Sequence, residues 1–244
     1  MTTRIAIFSD LHGNLAAGEA VLAAIDAEAP DAAYCLGDLV GYGPLPNETA
    51  ALIRGRGIPT IMGNYDDGAG FDRDGCGCAY TDAGEEARGQ RSLMWTRRAT
   101  TDETKAYLRT LVPEIRLEVE GVRLRLVHGS PRKMNEYLFA DRDERSLERI
   151  ARGADCDVLV FGHTHTPWVR EIAGVLMVNE GSVGKPKDGD PRAAWALLTV
   201  TAGEPVAVDI RRVPYDVAAM AAAIRAADGL PDHFARDIET AGAA

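Results

Sequence analysis

Positive charge, cysteine and long apolar runs are all scarce in this 244-residue chain, and each shortage closes off a class of function. Lys and Arg number 27 against 37 Asp and Glu, a net charge of −10 that repels a phosphate polymer unless a local patch or a bound metal reverses the field. Duplex nucleic acid is therefore not an expected partner. Four cysteines at 35, 76, 78 and 156 are too few and too scattered for a disulfide framework, and free thiols point to a reducing, cytoplasmic setting. Cys76 and Cys78 do not have the Cys-x-x-Cys spacing of redox or zinc-ribbon pairs and read as small buried apolar residues in a loop. No apolar run approaches the ~18–20 residues that span a bilayer, and the short run at 5–8 is no secretory signal core. What remains is 46% hydrophobic and 26% charged, ordinary globular usage for one domain over 1–244.

Strand and helix patterns alternate through the first quarter: strands over 4–9, 32–36 and 58–62, helices over 15–28 and 48–54. That rhythm predicts a largely parallel α/β sheet, with Asn14 capping the first helix and Pro30 stopping it. Residues 66–80, rich in Gly and Asp, read as a loop, and helices are expected over 82–98 and 102–111. Together 66–111 form an insertion that could serve as a lid. Strands over 116–120 and 122–127 flank Gly121 closely enough for a hairpin, and 157–161 suits a central strand. Later strands at 168–172, 175–179, 193–200 and 206–213 suggest an antiparallel second half, followed by a helical tail over 216–244.

Four of the five histidines sit at or just beyond predicted strand ends beside glycine: His12, His128, His163 and His165. The segments are Ser9-Asp10-Leu11-His12-Gly13-Asn14, Gly37-Asp38, Gly63-Asn64-Tyr65-Asp66, His128-Gly129-Ser130 and Gly162-His163-Thr164-His165. Carboxyl ends of strands in open α/β sheets converge on one crevice, and glycine lets backbone approach a ligand closely. Oxygen and imidazole donors without thiolate suit one or two divalent ions of the manganese, iron or zinc kind. Seven candidates exceed the needs of one catalytic metal. Two ions about 3.5–4 Å apart can share a carboxylate, hold an attacking hydroxide and neutralise a phosphoryl oxygen. Asp38, the only carboxylate at its strand end, is the candidate bridge.

These motifs, in this order, resemble the calcineurin-like metallophosphoesterase superfamily, in its small bacterial phosphodiesterase branch. The resemblance covers roughly residues 5–213 and includes Asp38-Leu39-Val40-Gly41-Tyr42-Gly43-Pro44 and the Gly181-Ser182-Val183-Gly184 turn. It implies a four-layer α/β fold, a two-sheet sandwich flanked by helices. It implies that Asp10, His12, Asp38 and His165 bind one metal and Asp38, Asn64, His128 and His163 the other. The ions expected are two divalent metals, manganese first, with iron, zinc or nickel as alternatives. The chemistry implied is phosphodiester or phosphomonoester hydrolysis of a small substrate by direct attack, with Asn64 also holding a phosphoryl oxygen. A homo-oligomer is compatible with this. Alternatives are a phosphoprotein phosphatase, a dinucleoside polyphosphate hydrolase, or a metal-binding scaffold on the same fold.

Two positions depart from the family pattern. Tyr65 stands where most members have the histidine that assists the leaving group, and a phenol with a pKa near 10 is a poor acid at neutral pH. Glu180 stands where the branch often has proline. Arg132, with Lys133, is either a fixed cation for the substrate phosphate or part of a solvated pair, and His233 is expected at the surface.

Overall fold

The computed structural model describes residues 1–77 and 83–243. Among these residues nine strands form two mixed sheets, the first in the order β2 (Ala32–Cys35), β1 (Thr2–Phe8), β8 (Ala193–Thr201) and β9 (Ala207–Val213). The second runs β3 (Glu114–Val119), β4 (Val122–Val127), β5 (Val158–Phe161), β7 (Val175–Asn179) and β6 (Trp168–Ile172). Alternation explains why β5 and the stretches Ile5–Phe8 of β1 and Ala193–Leu198 of β8 are apolar without interruption, because each is covered on both faces. Ile5 and Ile7 meet Val158, Val160, Ala196 and Leu198 between the sheets, while Ala6 and Phe8 face outward under a helical layer. Leu159 and Phe161 face outward on the other side with Leu147 and Ile150. Helix, sheet, sheet and helix thus form the four layers expected.

The outer layer on the first sheet contains α1 (Leu15–Glu28) and α2 (Pro46–Gly55). Asn14 caps α1 by accepting from the Ala17 amide at 3.1 Å. On the second sheet lies α6 (Glu144–Gly153), a helix the sequence reading did not anticipate. Its Asp143 cap accepts from the Ser146 amide at 2.9 Å, and Leu147 and Ile150 supply the buried stripe.

Several expectations need correction. The sheets are mixed rather than largely parallel; in the first, only β1 and β2 run parallel. Residues 58–62 form no strand, because Thr60 and Ile61 each make one isolated bridge, to Cys35 and Val112. The loop expected from residue 66 begins with a helix, α3 (Asn64–Gly70), held by Asp66, whose carboxylate accepts from the Gly63 amide at 3.0 Å. Beyond it α4 (Ala83–Ala99) and α5 (Asp102–Leu108) pack on the body, and Thr101 caps α5. Cys35 and Cys156 are free and buried. Cys76 is disulfide-bonded, against the expectation of a free thiol. Cys78 lies outside the described residues.

The tail divides into α7 (Val217–Ala226) and α8 (His233–Thr240), which pack on each other through Met220, Ile224, Phe234 and Ile238. Phe234 meets the Tyr42 ring at 5.0 Å, so the tail walls one side of the site loops. His233 is half-buried against Phe234 rather than at the surface.

Candidate metal centre

Every candidate ligand sits on a turn just past a strand end or at the start of α3, and these turns are latched together by backbone hydrogen bonds. The Asp10 amide donates to the Gly37 carbonyl and the His12 amide to the Asp38 carbonyl, both at 2.9 Å. The Gly162 amide donates to the His128 carbonyl at 2.9 Å, and the His163 amide to Asp10 Oδ2 at 3.1 Å. Glycine is required where these turns touch. A Cβ on Gly63 would lie 2.1 Å from Asp38 Oδ1, and one on Gly162 would lie 2.6 Å from Asp10 Oδ2.

The side chains gather into two groups, Asp10 with His12 and His165, and Asp38 with His128 and His163, all buried. In the first, Asp10 Oδ1 lies 3.5 Å from His12 Nε2 and 3.3 Å from His165 Nε2. Asp38 Oδ2 stands between the groups, 3.7 Å from His12 Nε2 and 3.5 Å from His128 Nε2. Its other oxygen accepts from the Tyr65 amide at 2.8 Å, which fixes the carboxylate plane. Asn64 Oδ1 lies 3.1 Å from His128 Nε2, placing Asn64 with the second group.

Tautomers follow from the outer hydrogen bonds. His12 Nδ1 faces the Val40 carbonyl at 3.0 Å, His165 Nδ1 the Lys185 carbonyl at 2.6 Å and His128 Nδ1 the Leu36 carbonyl at 2.8 Å. A carbonyl only accepts, so each Nδ1 carries a hydrogen and each neutral ring turns a lone pair on Nε2 inward. Yet His12 Nε2 and His165 Nε2 are 3.1 Å apart, and His128 Nε2 is 3.2 Å from His163 Nδ1. Acceptors at that separation repel unless a proton or a metal cation lies among them. Asp10 Oδ1, fully buried, has no hydrogen-bond partner among the described residues and points into the same space. The donor set therefore fits divalent ions.

Electrostatics agree. Burial opposes charge on Asp38, but His128 and then His12 hold its pKa below the ordinary carboxylate value. Burial likewise opposes charge on His128, and the Asp38 carboxylate outweighs it, lifting the pKa to about 10. Burial, and after it the charge of His128, pushes His163 down to about 3; burial pushes His165 down to about 4. The cavity demands positive charge beside Asp38 and discourages protons on the His163 and His165 rings.

The remaining candidates lie differently. The Tyr65 ring is 1% exposed and packs edge-on to His12 at 5.5 Å and against Tyr42 at 4.6 Å, within the core beneath the first group. Arg132 is bound by Glu136, its Nε 3.0 Å from Oε2. Three residues of the site were not foreseen in a role. Asp66 accepts from the amides of Asp38 at 2.7 Å and Leu39 at 2.9 Å, so it shapes the Asp38 turn. Ser9 donates to Asp10 Oδ2. Glu180 is fully buried with neither carboxylate oxygen partnered among the described residues, and burial, then the Asp10 charge, raises its pKa to about 8. Its departure from the family's proline is the only sequence signal that marked it.

Known proteins resemble this chain over most of its length. A 236-residue match to an uncharacterized protein of Methanocaldococcus jannaschii is 30% identical, over 87% of this chain and 88% of the relative. The phosphodiesterase YfcE of Escherichia coli is 26% identical over 190 residues, 78% of this chain and 84% of that protein. A metallophosphoesterase crystal structure from Sphaerobacter thermophilus superposes with a TM-score of 0.77 at 30% identity, over 99% of this chain and all of that one. A hypothetical protein of Pyrococcus horikoshii shares the fold at a TM-score of 0.84 and 22% identity, over 99% of both chains. The model of the calcineurin-like phosphoesterase superfamily domain matches residues 3–203, and the chain belongs to that superfamily.

Proposed function

We propose that the protein is a dinuclear-metal phosphodiesterase acting on small phosphate esters in the cytoplasm, with manganese as the first candidate ion. The observation that carries this is the convergence of lone pairs: His12 Nε2, His165 Nε2 and Asp10 Oδ1 on one side, His128 Nε2, His163 Nδ1 and Asn64 Oδ1 on the other. Asp38 Oδ2 lies between them, within 3.7 Å of one histidine from each side. When bound, a pair of divalent ions lowers the pKa of water and withdraws charge from phosphoryl oxygens. Asp10, His12 and His165 would hold one ion, Asn64, His128 and His163 the other, and Asp38 both. The carbonyls of Val40, Leu36 and Lys185 keep the rings in the ligating tautomer. Asn64 would offer its amide nitrogen to a phosphoryl oxygen. Tyr65, buried edge-on to His12, suits holding that ring better than delivering a proton, so leaving-group departure goes largely unassisted. The substrates favoured are then esters with good leaving groups. The similarity to the YfcE phosphodiesterase supports diesters over monoesters.

Hydrolysis of bis-p-nitrophenyl phosphate beside p-nitrophenyl phosphate, with and without manganese, tests the reading. Manganese-dependent diester cleavage that disappears in Asp38→Asn is expected. Faster monoester cleavage would assign a phosphatase instead, and no turnover by folded, metal-loaded protein would leave the scaffold alternative.

A further inference from the structure

A line of aromatic rings leads from the second ligand group toward solvent. The Tyr137 ring lies on His163 with centroids 4.1 Å apart and planes inclined at 33°. The Phe139 ring lies parallel to Tyr137, 5.5 Å away and only 6° from coplanar orientation. Phe139 is 45% exposed, although Leu138 between the two rings is fully buried. Leu138 plugs the core while the rings on either side of it in the chain stack on each other.

The segment is held firmly. Arg142 Nη1 donates to the Tyr137 carbonyl at 2.8 Å, Trp168 Nε1 to the Leu138 carbonyl at 2.9 Å and Arg170 Nη1 to the Ala140 carbonyl at 2.9 Å. A single exposed phenylalanine is ordinary on a protein surface. An exposed ring in an offset parallel stack, on a pinned backbone and two rings from a candidate metal ligand, is a preformed stacking surface. Little conformational freedom remains for a ligand to remove.

We infer that Tyr137 and Phe139 form a shelf on which phosphate esters with a planar aromatic arm, a nucleobase above all, stack while the phosphate faces the ligand groups. This rests on the phosphoesterase reading of the same site. The sugar of a nucleotide separates base from phosphorus, which suits a shelf that begins one ring beyond His163. Stacking on an aromatic side chain is sequence-tolerant, so the shelf discriminates ring from no ring rather than one base from another.

Calorimetric titration of adenosine 5′-monophosphate, phenyl phosphate and ribose 5-phosphate into the wild type and Phe139→Ala, each with and without manganese, tests the shelf. Adenosine 5′-monophosphate is expected to bind the wild type about tenfold more tightly than ribose 5-phosphate, with the difference lost in Phe139→Ala and kept in Phe139→Trp. Phenyl phosphate, whose ring is one bond from the ester oxygen, separates a nucleotide shelf from a general aryl one by whether it shares the gain. No measurable binding of adenosine 5′-monophosphate, equal affinity for the two sugar phosphates, or a preference that survives Phe139→Ala would overturn the inference. The binding comparison stands apart from turnover. Failure to hydrolyse any diester would remove the phosphodiesterase reading, and the titrations alone decide the shelf.

Discussion

Asp10, His12, Asp38, His163 and His165 all hold a left-handed backbone, with φ between 50° and 65°. Side chains with a Cβ adopt that region at a cost, and Asp, Asn and His tolerate it best. These residue types thus suit the turn as well as a metal, and latching of the turns keeps the strain in place. Asp66 is the clamp on one of them. In Asp66→Asn an amide NH2 would replace one of the oxygens that accept from the Asp38, Leu39 and Gly63 amides, and the expected loss is about 1–3 kcal/mol in urea denaturation. Tyr65→His restores an imidazole at the family's position. It is expected to speed hydrolysis of an alkyl diester by up to about 100-fold while changing a p-nitrophenyl ester little, read from steady-state rates on both. Equal effects on the two would separate Tyr65 from leaving-group departure.

The candidate ligands were legible at this scale because chemistry-bearing residues stand next to glycine at strand ends. Asp66, Ser9, Glu180 and Tyr137 were not legible in their roles. What each does depends on groups it meets across the fold: Asp66 on a turn 28 residues earlier, Tyr137 on a histidine far along the chain.

Among the elements, strands buried on both faces were the most readable, since Ile5–Phe8 of β1, all of β5 and Ala193–Leu198 of β8 are uninterrupted apolar runs. The β3–β4 hairpin was marked by Gly121, whose φ of 84° follows Glu120 at 51°. Helix α3 was missed because Gly68 and Gly70 have poor helix propensity, and it forms through Asp66 and its packing on α4 and α5. The segment after β4 has its own anchor. Glu136 binds Arg132 and Arg142 and accepts from Ser130 Oγ at 2.6 Å. Burial raises its pKa, but these partners outweigh burial and hold it at about 2, below the ordinary 4.5. A depressed carboxylate pKa contributes stability in full above the unfolded value, and the contribution fades as pH falls from about 4.5 to 2. Glu136→Gln is therefore expected to be less stable than the wild type at pH 7, with the gap closing below pH 4.5. Denaturant midpoints across that range check it, and a gap independent of pH would count against the ion-pair origin.

For the whole molecule, the four layers matter because they bring turns from β1 and β2 of one sheet and from β4 and β5 of the other to one place, where the alternating rhythm alone expected the ends of one sheet. The resemblance to a family supplied that architecture where the alternating rhythm alone suggested a parallel sheet. A net charge of −10 is compatible with binding phosphate esters only where cations reverse the local field. Among the described residues no helix is long and apolar enough to cross a membrane. Ions that bind the native but not the unfolded chain stabilise it by mass action, about 2.7 kcal/mol at 100 times Kd. Manganese added to chelator-treated protein is expected to raise the thermal midpoint by about 5–10 °C, measured by scanning calorimetry. An unchanged midpoint would mean that the lone pairs at the centre are neutralised by protons instead.

The bridging position of Asp38 is tested most directly by counting metal. Equilibrium dialysis against manganese, followed by elemental analysis, should find two ions per chain in the wild type and at least one fewer in Asp38→Asn. A single ion or none in the wild type, or undiminished occupancy in Asp38→Asn, would contradict a dinuclear centre built on that carboxylate.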